Sequence, residues 1–146
     1  MNVSIGNAQA LNGREAGLQA AHQALNRLGS NAPSLGFIIA SHHYQARDVI
    51  SGASSLLGST PVIGFSSPAG LTSEGVRHNS VVVALLSGDF QTETAWLPAY
   101  AQSARETGAK LAKRAAEKDS RALLFFADGF NGDADQLCAA LTTSVP

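Results

Sequence analysis

The chain has 146 residues, of which 45% are hydrophobic and only 14% charged, with a formal net charge of −1. That length suits one domain with an ordinary core, and the hydrophobic content excludes a disordered chain. Balanced charge argues against the basic face of a nucleic-acid binder, and the lone Cys138 excludes a disulfide framework or a thiolate zinc site within one chain.

A short strand is expected near Asn2 to Ile5. A helix follows: Asn12 is a good N-cap, Glu15 stands three residues on, and Ala16, Ala20, Ala21, Ala24, Leu25 and Leu28 recur at helical spacing before Gly29 stops it. Leu35 to Ala40 reads as a buried strand. A second helix is expected over Gln45 to Leu57, with Val49, Ile50, Ala53, Leu56 and Leu57 as its apolar face and Gly58 at its end. Pro61 to Phe65 is the next buried strand. Gly64 to Gly75, rich in Gly and Ser, reads as a loop with room for a short strand. Ser80 to Leu86 is β-branched and apolar, hence a strand. Ser87-Gly88-Asp89 is a turn, and the alternation of Phe90, Thr92, Thr94 and Trp96 predicts a strand over Phe90 to Leu97 that closes an antiparallel hairpin.

A third helix is predicted from Ala101 to Lys118. Its stripe is Ala104, Gly108, Leu111, Ala112 and Ala115, and Glu106 and Lys110 form an outer i,i+4 pair. Ala122 to Ala127 reads as another buried strand. Asp133 and Gln136 form a capping box for a last helix, Ala134 to Leu141, with Cys138 expected to be a buried, inert thiol. Val145 before Pro146 is expected to lead into a further strand. The order gives an α/β fold: a mixed sheet, with parallel βαβ units plus an antiparallel hairpin, and helices packed on it. Charge is uneven: residues 1–98 hold only Arg14, Arg27, Arg47, Arg77, Glu15, Asp48, Glu74, Asp89 and Glu93, and no lysine precedes Lys110. No linker marks a domain boundary.

The apolar runs Val81 to Leu86 and Ala122 to Ala127 fall far short of the roughly 20 residues a membrane helix needs. The start, MNVSIGNAQA, lacks a signal-peptide pattern, so a cytoplasmic location and no membrane partner are expected. Two segments place polar groups after buried strands, where open α/β sheets bind ligands. One is ASHHYQ, with Ser41, His42 and His43. The other is PVIGFSSPAG, with Gly64, Ser66, Ser67 and Gly70, whose backbone N–H groups suit an anion or carboxylate. Asp128 opens a third, DGFNGDAD, which fails as a calcium loop counted from Asn131, because Gln136 and Thr142 stand at the sixth and twelfth positions, where Gly and Glu are needed. Pro68 replaces the second glycine of a nucleophile elbow, and no Gly-Lys-Ser/Thr exists for a phosphate loop. Adjacent histidines in extended chain point apart, so no metal site is expected, and no cofactor.

In order, the alanine-rich first helix, GFIIASHHYQ, PVIGFSSPAG with Gly75 after it, and ALLFFADGFNG resemble the N-terminal part of the FIST domain. The likeness spans nearly the whole chain through order and spacing. It implies a sensory domain of signal-transduction proteins that binds a small ligand, such as an amino acid, and signals to an output module. By position, the resemblance puts polar and glycine site residues at Ser41, Gly64, Ser66, Gly70, Gly75 and Asp128. Gln45 stands where many members carry aspartate. The family's N-terminal region is longer than this chain, so residues 1–146 are expected to be a single, truncated FIST N-terminal domain. The expected ligand-binding set is Ser41, His42, Gly64, Ser66, Ser67, Gly70 and Asp128, with no catalytic residue. Two other readings are a protein–protein interaction module without a small ligand, and a hydrolase using Ser41 or Ser66 with His42 or His43.

Overall fold

A computed structural model describes residues 1–72, 75–118 and 120–144. The expected lead into a strand at Val145-Pro146 lies outside the described residues, as does the part of the Gly64 to Gly75 loop at 73–74. The chain divides into two compact units, Met1–Thr94 and Ala95–Pro146. That division falls close to the point where the sequence turns from charge-poor to charge-rich.

In the first unit, β1 (Asn2–Ala8), α1 (Gly13–Leu28), β2 (Leu35–Ser41), α2 (Ala46–Leu57) and β3 (Val62–Ser67) alternate as expected. β4 (Ala69–Thr72) and β5 (Gly75–His78) then pair with each other as a separate hairpin, and β6 (Val81–Ser87) returns to the sheet. The sheet order is β1-β6-β2-β3. β2 and β3 are parallel, while β6 is antiparallel to both β1 and β2. The fold is thus a mixed α/β sheet, and β2-α2-β3 is its parallel βαβ unit.

The capping signal at α1 is realised: Asn12 Oδ1 accepts a hydrogen bond from the Glu15 N–H at 2.9 Å. Small residues then let α1 lie close on the sheet and on α2. A Cβ at Gly6 of β1 would stand 2.1 Å from the Ala20 carbonyl oxygen, and one at Gly52 of α2 would stand 2.0 Å from the Arg14 carbonyl oxygen. The core between helices and sheet holds Ala16, Ala20, Ala21, Ala24, Ile38, Val49, Ala53, Val81, Val83 and Leu85. Burial follows the period of two along the strands. Ser4, Gly6 and Ala8 face the helices with Leu85, Val83 and Val81, while Val3 and Ile5 lie on the opposite face at 56% and 38% exposure. On α2, Gly52 takes part of the buried stripe, leaving Ile50 and Leu56 exposed.

The predicted strand Phe90 to Leu97 does not form. The reason is the position of β6: β1 holds one of its edges and β2 the other, so none remains for the following segment. The Thr92 hydroxyl instead donates to the Ser34 carbonyl at 2.9 Å.

In the second unit, α3 (Ala104–Glu117) and α4 (Ala134–Ser144) pack through Ala104, Ala112, Leu137 and Leu141. Asp133 caps α4 as predicted, accepting from the Gln136 N–H at 3.0 Å. Glu106 and Lys110 form the expected pair at 2.7 Å. Two expectations fail here. Cys138 is exposed, because the buried stripe of α4 runs through Leu137, Ala140 and Leu141 and position 138 turns away from it. Ala122 to Ala127 forms no strand among the described residues, and Leu123 and Leu124 are 42% and 60% exposed. An apolar run becomes a strand only where a neighbour offers hydrogen bonds, and the regular elements of this unit are helices.

Candidate functional site

β1, β2 and β3 run in one direction, so their C-terminal ends share one edge of the sheet with the start of β6. This edge gathers the loop after β1, the turn from Ser41 to Tyr44, the end of β3 at Ser66 and Ser67, and the Asn79-Ser80 link. Six of the seven expected ligand residues belong to β2, β3, β4 and their connections. The seventh, Asp128, belongs to the second unit.

Ser41 is 1% exposed. Its N–H donates to the Ser80 carbonyl at 2.9 Å, and its Oγ accepts from the His43 N–H at 3.3 Å. The Tyr44 N–H returns to the Ser41 carbonyl at 3.0 Å, which makes 41–44 a tight turn. The His42 N–H donates to the Ser67 carbonyl at 3.1 Å and extends the β2–β3 ladder by one bond. Both imidazoles are exposed, and the His43 ring meets Tyr44 edge-on at 5.5 Å. The Ser67 hydroxyl donates to the Ala69 carbonyl at 2.9 Å. Ser66 is exposed. Gly64 has a structural reason: a Cβ there would stand 1.9 Å from the Ile38 carbonyl oxygen on the neighbouring strand. Gly70 is buried, and Gly75 opens β5 with φ at +108°, which only glycine adopts freely. Gln45 makes no side-chain cap at the start of α2, and its carbonyl accepts from the Asp48 and Val49 N–H groups at 3.0 and 3.2 Å.

Tyr44 organises the edge, a role the sequence reading missed. Its ring is 9% exposed, in the main core. Its hydroxyl accepts from the Ala10 N–H at 3.2 Å and offers one proton to two carbonyls, Ala10 at 2.8 Å and Asn79 at 3.0 Å. It thereby ties the loops after β1 and β5 to the start of α2. The signal was present: a tyrosine between a buried strand and a helix start combines an apolar body with a polar tip.

Asp128 serves its own loop. Its carboxylate accepts from the Phe130 N–H at 2.9 Å, the Asn131 N–H at 3.3 Å and the Asn131 side-chain amide at 2.8 Å. These bonds, the Asn131 side chain first, hold its pKa below the ordinary carboxylate range. Also in the second unit, a cavity of about 500 Å³ at the start of α3 is lined by Gln102, Ser103, Arg105, Glu106, Asp133 and Gln136. Its two carboxylates already hold Lys110 and the start of α4. Among the described residues, no serine hydroxyl bonds a histidine ring, and no group of three His, Cys, Asp or Glu could hold a metal ion. No described helix is long and apolar enough to cross a membrane.

The family model of the FIST N domain matches residues 34–146. The chain belongs to this family. The match includes every expected site residue, from Ser41 to Asp128. FIST domains are sensory domains of signal-transduction proteins. No curated protein matches the chain. Among solved structures, a mutant of FtsZ from M. jannaschii is similar at 22% identity, over 59% of this chain and 27% of that one, with a TM-score of 0.37. The chain thus spans about a quarter of that protein's length.

Proposed function

We propose that this FIST N domain is a cytoplasmic, non-catalytic sensor that captures a small polar ligand of the amino-acid class and signals to an output module. One observation carries the reading. The parallel pair β2–β3 ends in Ser41-His42 and Ser66-Ser67, side by side, next to a start of α2 that no side chain caps. Hydroxyl and imidazole groups there suit a ligand's amino group, and a helix start without a side-chain cap suits its carboxylate. The test is a thermal-shift titration of the chain with the twenty amino acids. A ligand at about 100 times its Kd adds roughly 2.7 kcal/mol to stability. A dose-dependent shift abolished by Ser66→Ala supports the reading. No shift across the panel, or one untouched by Ser66→Ala and His42→Ala, overturns it.

The second reading, an interaction module without a small ligand, draws on Phe130, which is fully exposed, and Leu124, which is 60% exposed. It predicts that Phe130→Ser weakens capture of the output module while no amino acid shifts stability.

A further inference from the structure

The two ends of the main sheet are finished differently. In the order β1-β6-β2-β3, β1 and β3 each have an outer edge that no strand pairs among the described residues. Helix α1 guards the β1 edge. The Arg27 side chain donates to the Ile5 carbonyl at 2.5 Å, and the Gln23 side chain accepts from the Asn7 N–H at 3.3 Å. The β3 edge is different. The Gly36 N–H donates to the Pro61 carbonyl and the His42 N–H to the Ser67 carbonyl, one at each end of the β2–β3 ladder. A parallel ladder uses alternate residues, so Pro61, Ile63, Phe65 and Ser67 turn their backbone groups to β2, and Val62, Gly64 and Ser66 turn theirs outward. Among the described residues, no side chain guards these outward groups.

Proteins usually blunt such an edge with a charge, an internal proline or a bulge. β3 has none of these. Its register with β2 is unbroken from Gly36↔Val62 to Ser41↔Ser67, Pro61 and Pro68 stand just outside it, and no residue between Asp48 and Glu74 is charged. Its middle, Gly64, Phe65 and Ser66, is exposed. On the helix side of the sheet, Ile50 of α2 is 48% exposed. Gly52 faces α1, which packs on β1 and β6. Ile50 stands about 200° from Gly52 round the helix, so it faces away from α1, toward the β3 end of the sheet.

We propose that the β3 edge is a self-association surface whose partner is β3 of a second copy of this chain. The strand is complementary to itself. Run antiparallel about a two-fold axis at Gly64, it exchanges both backbone bonds between Gly64 and Gly64 of the second copy, and between Val62 and Ser66 of the second copy. Phe65 then meets Ile63 of the second copy in a close, non-hydrogen-bonded pair on the sheet face away from the helices, an aromatic and β-branched pairing that stabilises sheets. On the other face, the Ile50 flanks of the two α2 helices turn toward each other. The charge-free stretch lets identical copies meet without like-charge repulsion. Pro61 and Pro68 confine the pairing to β3, and the guarded β1 edge stops further growth, so the assembly closes as a dimer. The inference goes beyond the sensory reading and uses the backbone of Ser66, not its hydroxyl.

The test is sedimentation velocity over a dilution series, with amide exchange followed at the same concentrations and no amino acid present. The unsubstituted chain should sediment as a dimer that dissociates on dilution. The Val62, Gly64 and Ser66 amides should exchange about tenfold or more slowly in the dimer than after dilution, while the Ile63 and Phe65 amides, bonded to β2, keep one rate. Phe65→Lys and Ile50→Lys should each raise the dissociation constant about tenfold or more. Val3→Lys, 56% exposed on the guarded strand, should leave it unchanged. Should Phe65→Lys fail to fold, Ile50→Lys on the helix surface and the exchange of the unsubstituted chain decide. A chain that stays monomeric up to about 1 mM overturns the proposal. So does a dimer whose Val62, Gly64 and Ser66 amides exchange at one rate at every concentration, or one that Val3→Lys weakens as much as Ile50→Lys. Failure of the amino-acid titration leaves all of these results untouched, so the two ideas fail separately.

Discussion

Replacing Gly52 with alanine sets two effects of known size against each other. In an isolated helix the change is favourable by about 1 kcal/mol, because glycine is the poorer helix former. Here the new Cβ would stand 2.0 Å from the Arg14 carbonyl oxygen, 2.8 Å from the Arg14 carbonyl carbon and 3.0 Å from the Leu18 nitrogen, against 3.4 Å for ordinary contact. All three atoms are backbone of α1, so no rotamer change relieves the clash. The helices must part by more than an ångström, loosening Val49 and Ala53 at 1% and 0% exposure. Overpacking costs typically 1–3 kcal/mol and more where backbone must move, so we expect a net loss of about 2 kcal/mol. Urea denaturation followed by far-UV circular dichroism measures it as a lower midpoint at unchanged slope. Gly17→Ala strikes the same crossing, its Cβ 2.3 Å from the Val49 carbonyl oxygen. Once either variant has parted the helices the other costs less, so the double variant should lose less than the sum of the two. Stability equal to or above the parent's in Gly52→Ala would refute the close-crossing argument. So would strict additivity.

Tyr44→Phe keeps the ring and removes the oxygen shared by Ala10 and Asn79. It should cost about 1–3 kcal/mol, read as a lower melting temperature. Tyr100→Phe should leave the melting temperature unchanged or raise it, since the Tyr100 hydroxyl is buried without a hydrogen-bond partner among the described residues. Asp133 has its pKa lowered, first by the Gln136 N–H and then by the Gln136 side chain. A depressed folded pKa means stabilisation that is present above the unfolded value and lost as pH falls through the folded one. The cap of α4 should therefore weaken only in acid, below the ordinary carboxylate range, and Asp133→Asn should blunt that acid loss in a circular-dichroism titration.

The helices were legible because their signals are local. Asn12 with Glu15, Asp133 with Gln136, and the alanine stripe of α1 each act within a turn or two of chain. Strand pairing is decided elsewhere in the molecule. Phe90 to Leu97 alternates like a strand, yet β6 has both edges filled. Ala122 to Ala127 has the apolar character of β2 but forms no strand among the described residues. The Gly-rich stretch after β3 hid a hairpin, because Ala69 to His78 has neither a period-two pattern nor a strong turn dipeptide. Cys138 was misread for a smaller reason: apolar neighbours on all sides obscured which third of α4 faces α3. The strand-end serines were found, but their separate duties depend on bonds that only the folded chain forms.

Those bonds divide the candidate residues by what each still has to offer. The Ser41 Oγ already accepts the His43 N–H, and the Ser67 hydroxyl already donates to Ala69. Tyr44 shares one proton between two carbonyls, and Asp128 holds its own loop. Gly64 and Gly70 are small because a strand and a side chain pass close to them. Such groups shape an edge, and a ligand that took their bonds would have to replace them at equal strength. Ser66, His42 and His43 are exposed on the same edge. A hydroxyl and two imidazoles in contact with solvent can bond a ligand by exchanging water alone, with a net gain of about 0.5–1.5 kcal/mol per bond and no protein bond to replace. On the proposed sensor reading, selectivity at this edge would therefore rest with Ser66 and the two histidines, while Ser41, Tyr44 and Ser67 would set the frame that presents them.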